Sequence, residues 1–337
     1  MNETLEKLLR EINKGVIPRL PEWLFNILSE PYIAGHRRHD ALDAVESFAN
    51  MGRLSSLDIL GEGAENPKQA IMYFKEYKDL IDDLANRFPL ENRSISLKPS
   101  EIMFFEKFDY PVFEDIKLNE RLEELVDYAE KKGVNITLDM ENHDFTTISL
   151  RAAKYVWDRG HRNFGIVLQS MLDRTRQDIV NLFYEEDYAK LAKVRAVIGI
   201  YPESSVIATT SKNKAKDRLF HRVKELFEAG VYVQIATHDR KIIRKIIKEV
   251  IEPMGISNEM FEFQFLKGVE NAYKMDRKLI KEGYKVRYYL PYEIKPGDGR
   301  KYMERRLIAN PVMVLYAAKN IAQKYLGSLI PNEIHNI

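Results

Sequence analysis

Cysteine is absent from the 337 residues, which removes thiolate nucleophiles, thiolate metal sites and disulfides together and leaves the redox compartment open. Redox chemistry in such a chain needs a cofactor. Net charge is almost absent as well: 52 Lys and Arg against 51 Asp and Glu leave +1. There is thus no electrostatic reason to expect nucleic acid as a partner. No run approaches the roughly 18 apolar residues of a membrane span, and the charged, helix-periodic start MNETLEKLLREINKG lacks the apolar core of a signal peptide. A soluble, cytoplasmic protein is expected, at most peripheral to a membrane. The nucleotide-binding GxGxxG turn is also missing, with only Gly61-Glu62-Gly63 as an echo.

What is present is a rhythm. Leu5, Leu8, Leu9 and Ile12 repeat at helical spacing up to Gly15, a second helix runs from Glu22 to Leu28 before Pro31, and Leu42, Val45 and Phe48 mark a third before Gly52. Residues 1–50 therefore read as an N-terminal helical arm. From 51 to 330, short β-type segments alternate with amphipathic helices. The expected strands are Ser56–Leu60, Ser94–Lys98, Asn135–Met140, Phe164–Leu168, Arg195–Ile200, Val231–Ala236, Phe261–Phe265 and Lys285–Leu290. Eight parallel strands with right-handed helical crossovers can close as a (β/α)8 TIM-type barrel, an α/β fold whose chemistry sits at the C-terminal strand ends.

Those strand ends are polar. Lys98 closes the second, Asp139 and Glu141 the third, Gln169 follows the fourth, Arg195 opens the fifth, Thr237, His238 and Asp239 follow the sixth, and the seventh holds Glu262 and Gln264. Barrel interiors normally carry Val, Ile and Leu, so such groups need partners, and a polar ligand in the mouth could supply them. Other polar clusters have plainer readings. His36-Arg37-Arg38-His39 and Glu141-Asn142-His143-Asp144 lack a convincing ligand set for a metal and read as polar loops. The Lys241–Lys248 segment reads as a solvated helix with Ile242, Ile243, Ile246 and Ile247 inward, and Met103-Phe104-Phe105 as core filling.

The most informative stretch is YKVRYYLPYEIKPGDGRKYMERRLIAN, residues 284–310. An aromatic strand ending near Tyr289 precedes a Pro/Gly loop and a helix bearing Arg305 and Arg306. Arginine forks match carboxylate geometry and tyrosine supplies flat contact area, so the combination suits a small anion with an apolar body. On the residues alone, a solvated Glu-Arg-Arg surface is an equal reading.

The YxP strand end followed by YxxRRL and Asn resembles the proline dehydrogenase family. SLKPS (96–100), LDME (138–141), IVLQSMLDRT (166–175), VRAVIGIYPE (194–203), IATHD (235–239) and FEFQFLKG (261–268) resemble its other strand-end motifs in the same order. The resemblance implies an FAD enzyme that oxidises L-proline to Δ1-pyrroline-5-carboxylate by hydride transfer to the flavin. It implies that Lys98, Arg305 and Arg306 hold the substrate carboxylate, with Leu266, Tyr289 and Tyr302 around the ring. Met140, Gln169, Arg195, Ile198, Gly199, Ile200, Thr237 and His238 would contact the cofactor. Arg195 would sit near the flavin's reacting nitrogen, and Asp139 would orient Arg195 or Lys98 or accept a proton. A membrane quinone is the implied electron acceptor; a homo-oligomer is an open possibility.

The chain departs from the family pattern in places. VIGIY stands where VKGAY is usual, so Ile198 replaces a lysine and Ile200 an alanine, and Ala309 replaces a glutamate four residues after Arg305. A barrel retained for binding or assembly, or a flavoenzyme for another cyclic or N-methyl amino acid, are the competing expectations.

Overall fold

The computed structural model describes residues 3–61, 63–102, 114–295, 297–309 and 313–314. Met103-Phe104-Phe105, and the part of the expected barrel region beyond residue 314, lie outside them. Eight strands form a closed, wholly parallel barrel in sequence order. They are β1 (Leu54–Leu60), β2 (Ser94–Leu97), β3 (Asn135–Leu138), β4 (Phe164–Gln169), β5 (Lys193–Val197), β6 (Tyr232–Ala236), β7 (Phe261–Leu266) and β8 (Val286–Glu293). Closure is made by β8 on β1, in register from Leu54 opposite Arg287 to Leu60 opposite Glu293. Each strand is followed by a helix: α4 (Pro67–Arg87), α5 (Glu114–Lys131), α6 (His143–Trp157), α7 (Thr175–Val180), α8 (Lys212–Glu228), α9 (Arg240–Ile246), α10 (Glu270–Lys281) and α11 (Arg300–Ala309).

Local chemistry sets the helix ends. Asn66 caps α4 by accepting the Gln69 N–H at 3.0 Å, with Pro67 at the first helical position. Asp239 caps α9 through the Lys241 and Ile242 amides at 2.9 and 3.2 Å. In α9, Ile243 and Ile246 are buried, and the chain continues as a π turn over Ile247–Ile251.

Alternation along the strands separates two environments. Outward residues such as Leu57, Ile59, Ile166, Phe263 and Leu290 join the helices in one apolar core. Many inward residues are polar, among them Asp58, Ser96, Gln169, Arg195 and Gln264. Arg195 and Tyr289 lie inside the strands, third in β5 and fourth in β8, instead of at a strand terminus as the sequence suggested. Glu262 does not reach the mouth. It is the second residue of β7 and binds Arg287 Nε at 2.8 Å near the barrel's N-terminal end.

Three helices precede β1: α1 (Glu3–Val16), α2 (Glu22–Ser29) and α3 (Arg38–Ala49). The arm does not dock by the expected apolar periodicity. On α1, Leu5, Leu8, Ile12 and Val16 are all exposed, while Asn13 is buried and donates to the Leu307 carbonyl of α11 at 3.0 Å. Ile17, Phe25, Leu28, Tyr32 and Ile33 instead pack with Leu266, Met303 and Leu307 as a second core over the barrel mouth. Lys267 reinforces this by donating to the Pro31 and Ile33 carbonyls, both at 2.8 Å. Among the described residues, no helix is long and apolar enough to cross a membrane.

Candidate active site

A cavity of about 720 Å³ opens at the C-terminal mouth, within the usual range for a ligand pocket. Every residue that the resemblance assigned to cofactor or substrate lines it: Lys98, Asp139, Met140, Gln169 and Arg195 from β2 to β5 and their ends, and Ile198, Gly199 and Ile200 from the loop after β5, whereas Glu141 and Glu262 do not. Thr237, His238 and Leu266 come from β6 and β7, Tyr289 from β8, and Tyr302, Arg305 and Arg306 from α11. Although neighbours on a helix point about 100° apart, both arginines of α11 reach the cavity, because α11 lies across the mouth.

Two hydrogen-bonded groups form the floor. In the first, Asp139 accepts from Arg195 Nη1 at 2.5 Å and from the Tyr289 hydroxyl at 2.7 Å, while Arg195 Nη2 donates to Ser96 at 2.9 Å. The Arg195 guanidinium also lies 5.4 Å from the Tyr289 ring centre, within cation–π range. Burial, then the neighbouring carboxylates, hold the Tyr289 phenol well above its ordinary value, so it remains a neutral donor.

In the second group, Lys98 Nζ donates to Asp58 at 2.9 Å, to Glu101 at 3.0 Å and to the Ile59 carbonyl at 3.1 Å. Its donors are all engaged, which the sequence reading did not foresee. Burial opposes the charge on Lys98, but Asp58, Glu101 and Asp139 outweigh it and push the ammonium well above its usual value. Burial pushes Glu101 up to about 8 and Asp58 up to about 6. The Lys98 ammonium pulls both down, but burial, helped by the neighbouring carboxylates, outweighs it. Tyr77 completes the group as a hydrogen-bond partner of Glu101.

The wall is specified by backbone needs. Gly199 has φ +110°, and a Cβ there would run into Met171 Sδ and Gln169 Oε1, so only glycine serves. Gln169 donates to the Glu141 carbonyl at 2.8 Å. His238 Nε2 accepts the Leu266 N–H at 2.9 Å, which puts the imidazole proton on Nδ1. Burial and then the Arg306 charge lower it to about 4, so it is neutral. Arg305 lies 4.9 Å from the Tyr201 ring and Arg306 4.2 Å from the Tyr302 ring.

Sequence reasoning missed Asp58, Glu101, Ser96 and Tyr201, and also Arg10, which reaches the cavity from α1. Asp58 carried a usable signal: it is an inward-phase charge in β1, and a buried carboxylate requires a cation. Three lining residues present buried side-chain atoms without a hydrogen-bond partner: Arg195 Nε, Tyr302 Oη and Arg10 Nε. Buried donors are normally satisfied, so these three point to a ligand.

Fold and site define the class, a (β/α)8-barrel enzyme with its ligand site in the C-terminal mouth. A family model described as proline dehydrogenase matches residues 41–313, and the chain belongs to the proline dehydrogenase family, a family of oxidoreductases. It is 30% identical over 285 residues to the proline dehydrogenase of Deinococcus radiodurans, covering 84% of this chain and 86% of that protein. It is 27% identical over 302 residues to proline dehydrogenase 2 of Bacillus subtilis strain 168, covering 90% and 93%. Among solved structures, proline utilization A (PutA) from Bdellovibrio bacteriovorus inactivated by N-propargylglycine matches with a TM-score of 0.75 at 23% identity, covering 83% of this chain. The match takes up 32% of that longer chain, and the likeness is one of fold.

Proposed function

We propose that the protein binds FAD and oxidises L-proline to Δ1-pyrroline-5-carboxylate. One observation carries the reading. A single cavity of about 720 Å³ holds the Arg305–Arg306 pair, the Tyr289 and Leu266 faces and an Arg195 whose buried Nε lacks a partner. The residues fit a flavin: the orphaned Arg195 and Tyr302 atoms need acceptors, and the glycine at 199 lets backbone line the wall without a side chain. Bound flavin would supply the acceptor for the hydride leaving the proline ring.

The chain's own groups supply placement and charge. Arg305 and Arg306 bind the substrate carboxylate by charge-assisted hydrogen bonds. Lys98, with every donor already used, serves as a fixed positive charge beneath that carboxylate. Tyr289 and Leu266 pack on the ring and exclude water from it. Asp139 is committed to Arg195 and Tyr289, which favours positioning over proton transfer as its role and leaves Lys98 to Asp58 and Glu101. Arg195 keeps a cation fixed where negative charge develops. The electrons pass on to a membrane quinone.

An absorption spectrum of the purified protein, with and without L-proline, tests this directly. Flavin bands that bleach on adding proline, with proline-dependent dye reduction, are expected. A protein that holds no flavin, takes up none from FAD solution and reduces no dye would sink the reading. Bleaching by N-methyl amino acids in preference to proline would keep the flavin and change the substrate.

A further inference from the structure

Among the described residues, Arg10 is the one that the arm contributes to the lining, and three observations set it there. Asn13, one turn later on the same face of α1, bonds to the Leu307 carbonyl of α11, fixing α1 against the helix that carries Arg305 and Arg306. Next, α1 is turned inside out relative to an ordinary amphipathic helix, with Leu5, Leu8 and Ile12 in solvent and Asn13 and Arg10 toward the barrel. Finally, the Arg10 Nε is buried without a hydrogen-bond partner. An arginine delivered this way needs an anion.

The substrate carboxylate does not answer that need. Two guanidinium forks, each giving two donors, already fill the roughly four acceptor sites of its two oxygens. The charge count agrees: seven Lys and Arg line the cavity against Asp139, Glu203 and Asp239. Adding Asp58 behind Lys98 makes it seven against four, since Glu101, pushed up to about 8, is neutral near pH 7. A carboxylate accounts for one of the three excess charges, and further anionic charge is left to be met.

We infer that Arg10 is a phosphate-binding residue, closing the helical arm onto the phosphate of the flavin nucleotide. This rests on the flavin reading above and goes beyond it by giving the arm a ligand contact. Ala309, one turn beyond Arg305, also lines the cavity, with a side chain of a single methyl.

Flavin affinity of the full-length apoprotein decides it, read by quenching of free FAD, FMN and riboflavin fluorescence for wild type, Arg10→Gln and Arg10→Lys. Losing a charge-assisted contact should weaken FAD about tenfold or more in Arg10→Gln, with riboflavin, which has no phosphate, unchanged. Arg10→Lys should recover part of the loss. Weakening of both FAD and FMN assigns the phosphate they share, and weakening of FAD alone assigns the second phosphate of the dinucleotide; either supports the proposal. Equal weakening of riboflavin, or unchanged FAD affinity with a raised KM for proline, would overturn it. If wild type quenches none of the three, the flavin reading itself fails. Circular dichroism confirms that each variant keeps its fold.

Discussion

The barrel holds buried charge at both ends, and the two ends settle their accounts differently. At the N-terminal end, Arg287 is bonded to Glu262 at 2.8 Å and to the Ser55 carbonyl at 2.7 Å. Gln264 donates to the same Glu262 at 2.6 Å, and Lys193 is paired with Asn135. At the C-terminal mouth, Lys98 and Arg195 are just as thoroughly bonded to Asp58, Glu101 and Asp139. Yet there Arg195, Tyr302 and Arg10 keep orphaned atoms, and a cavity lies over them. Buried charge alone is therefore no mark of a binding site. Orphaned buried atoms also occur away from the mouth, at Ser55, Asn92 and Gln234, so what marks the working end is that its orphaned groups border a cavity.

The largest effect should come from breaking the closed end. Arg287→Met strands Glu262 without its cation and should cost about 3–5 kcal/mol of stability, read by urea unfolding. Replacing both in Arg287→Met/Glu262→Leu should recover most of that loss. If the double variant were as unstable as the single one, the pair would not be the self-contained unit described.

Next, Arg305→Ala and Arg306→Ala should each cost about 2–3 kcal/mol in kcat/KM, carried by KM for proline, with urea midpoints little changed. Normal kinetics in both would remove them from the site. Asp139→Asn weakens the hold on Arg195 and Tyr289 together, and a loss of about 1.5–3 kcal/mol in kcat/KM is expected with flavin content retained.

The smallest effect concerns pH. His238 takes its proton at about 4 in the folded state, against about 6.5 when unfolded. Between those values the unfolded chain binds more protons, so the histidine's contribution is whole above 6.5 and is lost as pH falls toward 4. His238→Gln should flatten the pH dependence of unfolding in that window. Parallel profiles for wild type and variant would refute the assignment. The double-ended comparison also bears on specificity: Tyr289→Ser should relax any preference for proline over hydroxylated analogues, since its ring borders the ligand space.

Much of this was legible in the residues because barrel strands are short apolar runs bounded by turns. All eight strands lie within a few residues of the expected spans, and β8 runs furthest beyond, to Glu293. Strand ends also carried the lining residues, since the fold exposes one end of every strand to one cavity. Pairing was not legible. Nothing local in DILGE says that Asp58 meets Lys98 forty positions away, and Glu262 looked like a mouth residue until its place at the start of β7 sent it to Arg287. Arg10 gave no signal, because its role depends on a helix that docks by its polar side.

The bond from Asn13 to the Leu307 carbonyl spans 294 positions. The α1 helix thus has no place to settle until α11, nearly three hundred positions later, has been made, since its seat is there. Contacts of such separation are the slow ones to form. Since α11 follows β8, the strand that closes the barrel on β1, the arm that precedes every strand is seated on the element that comes after the last of them.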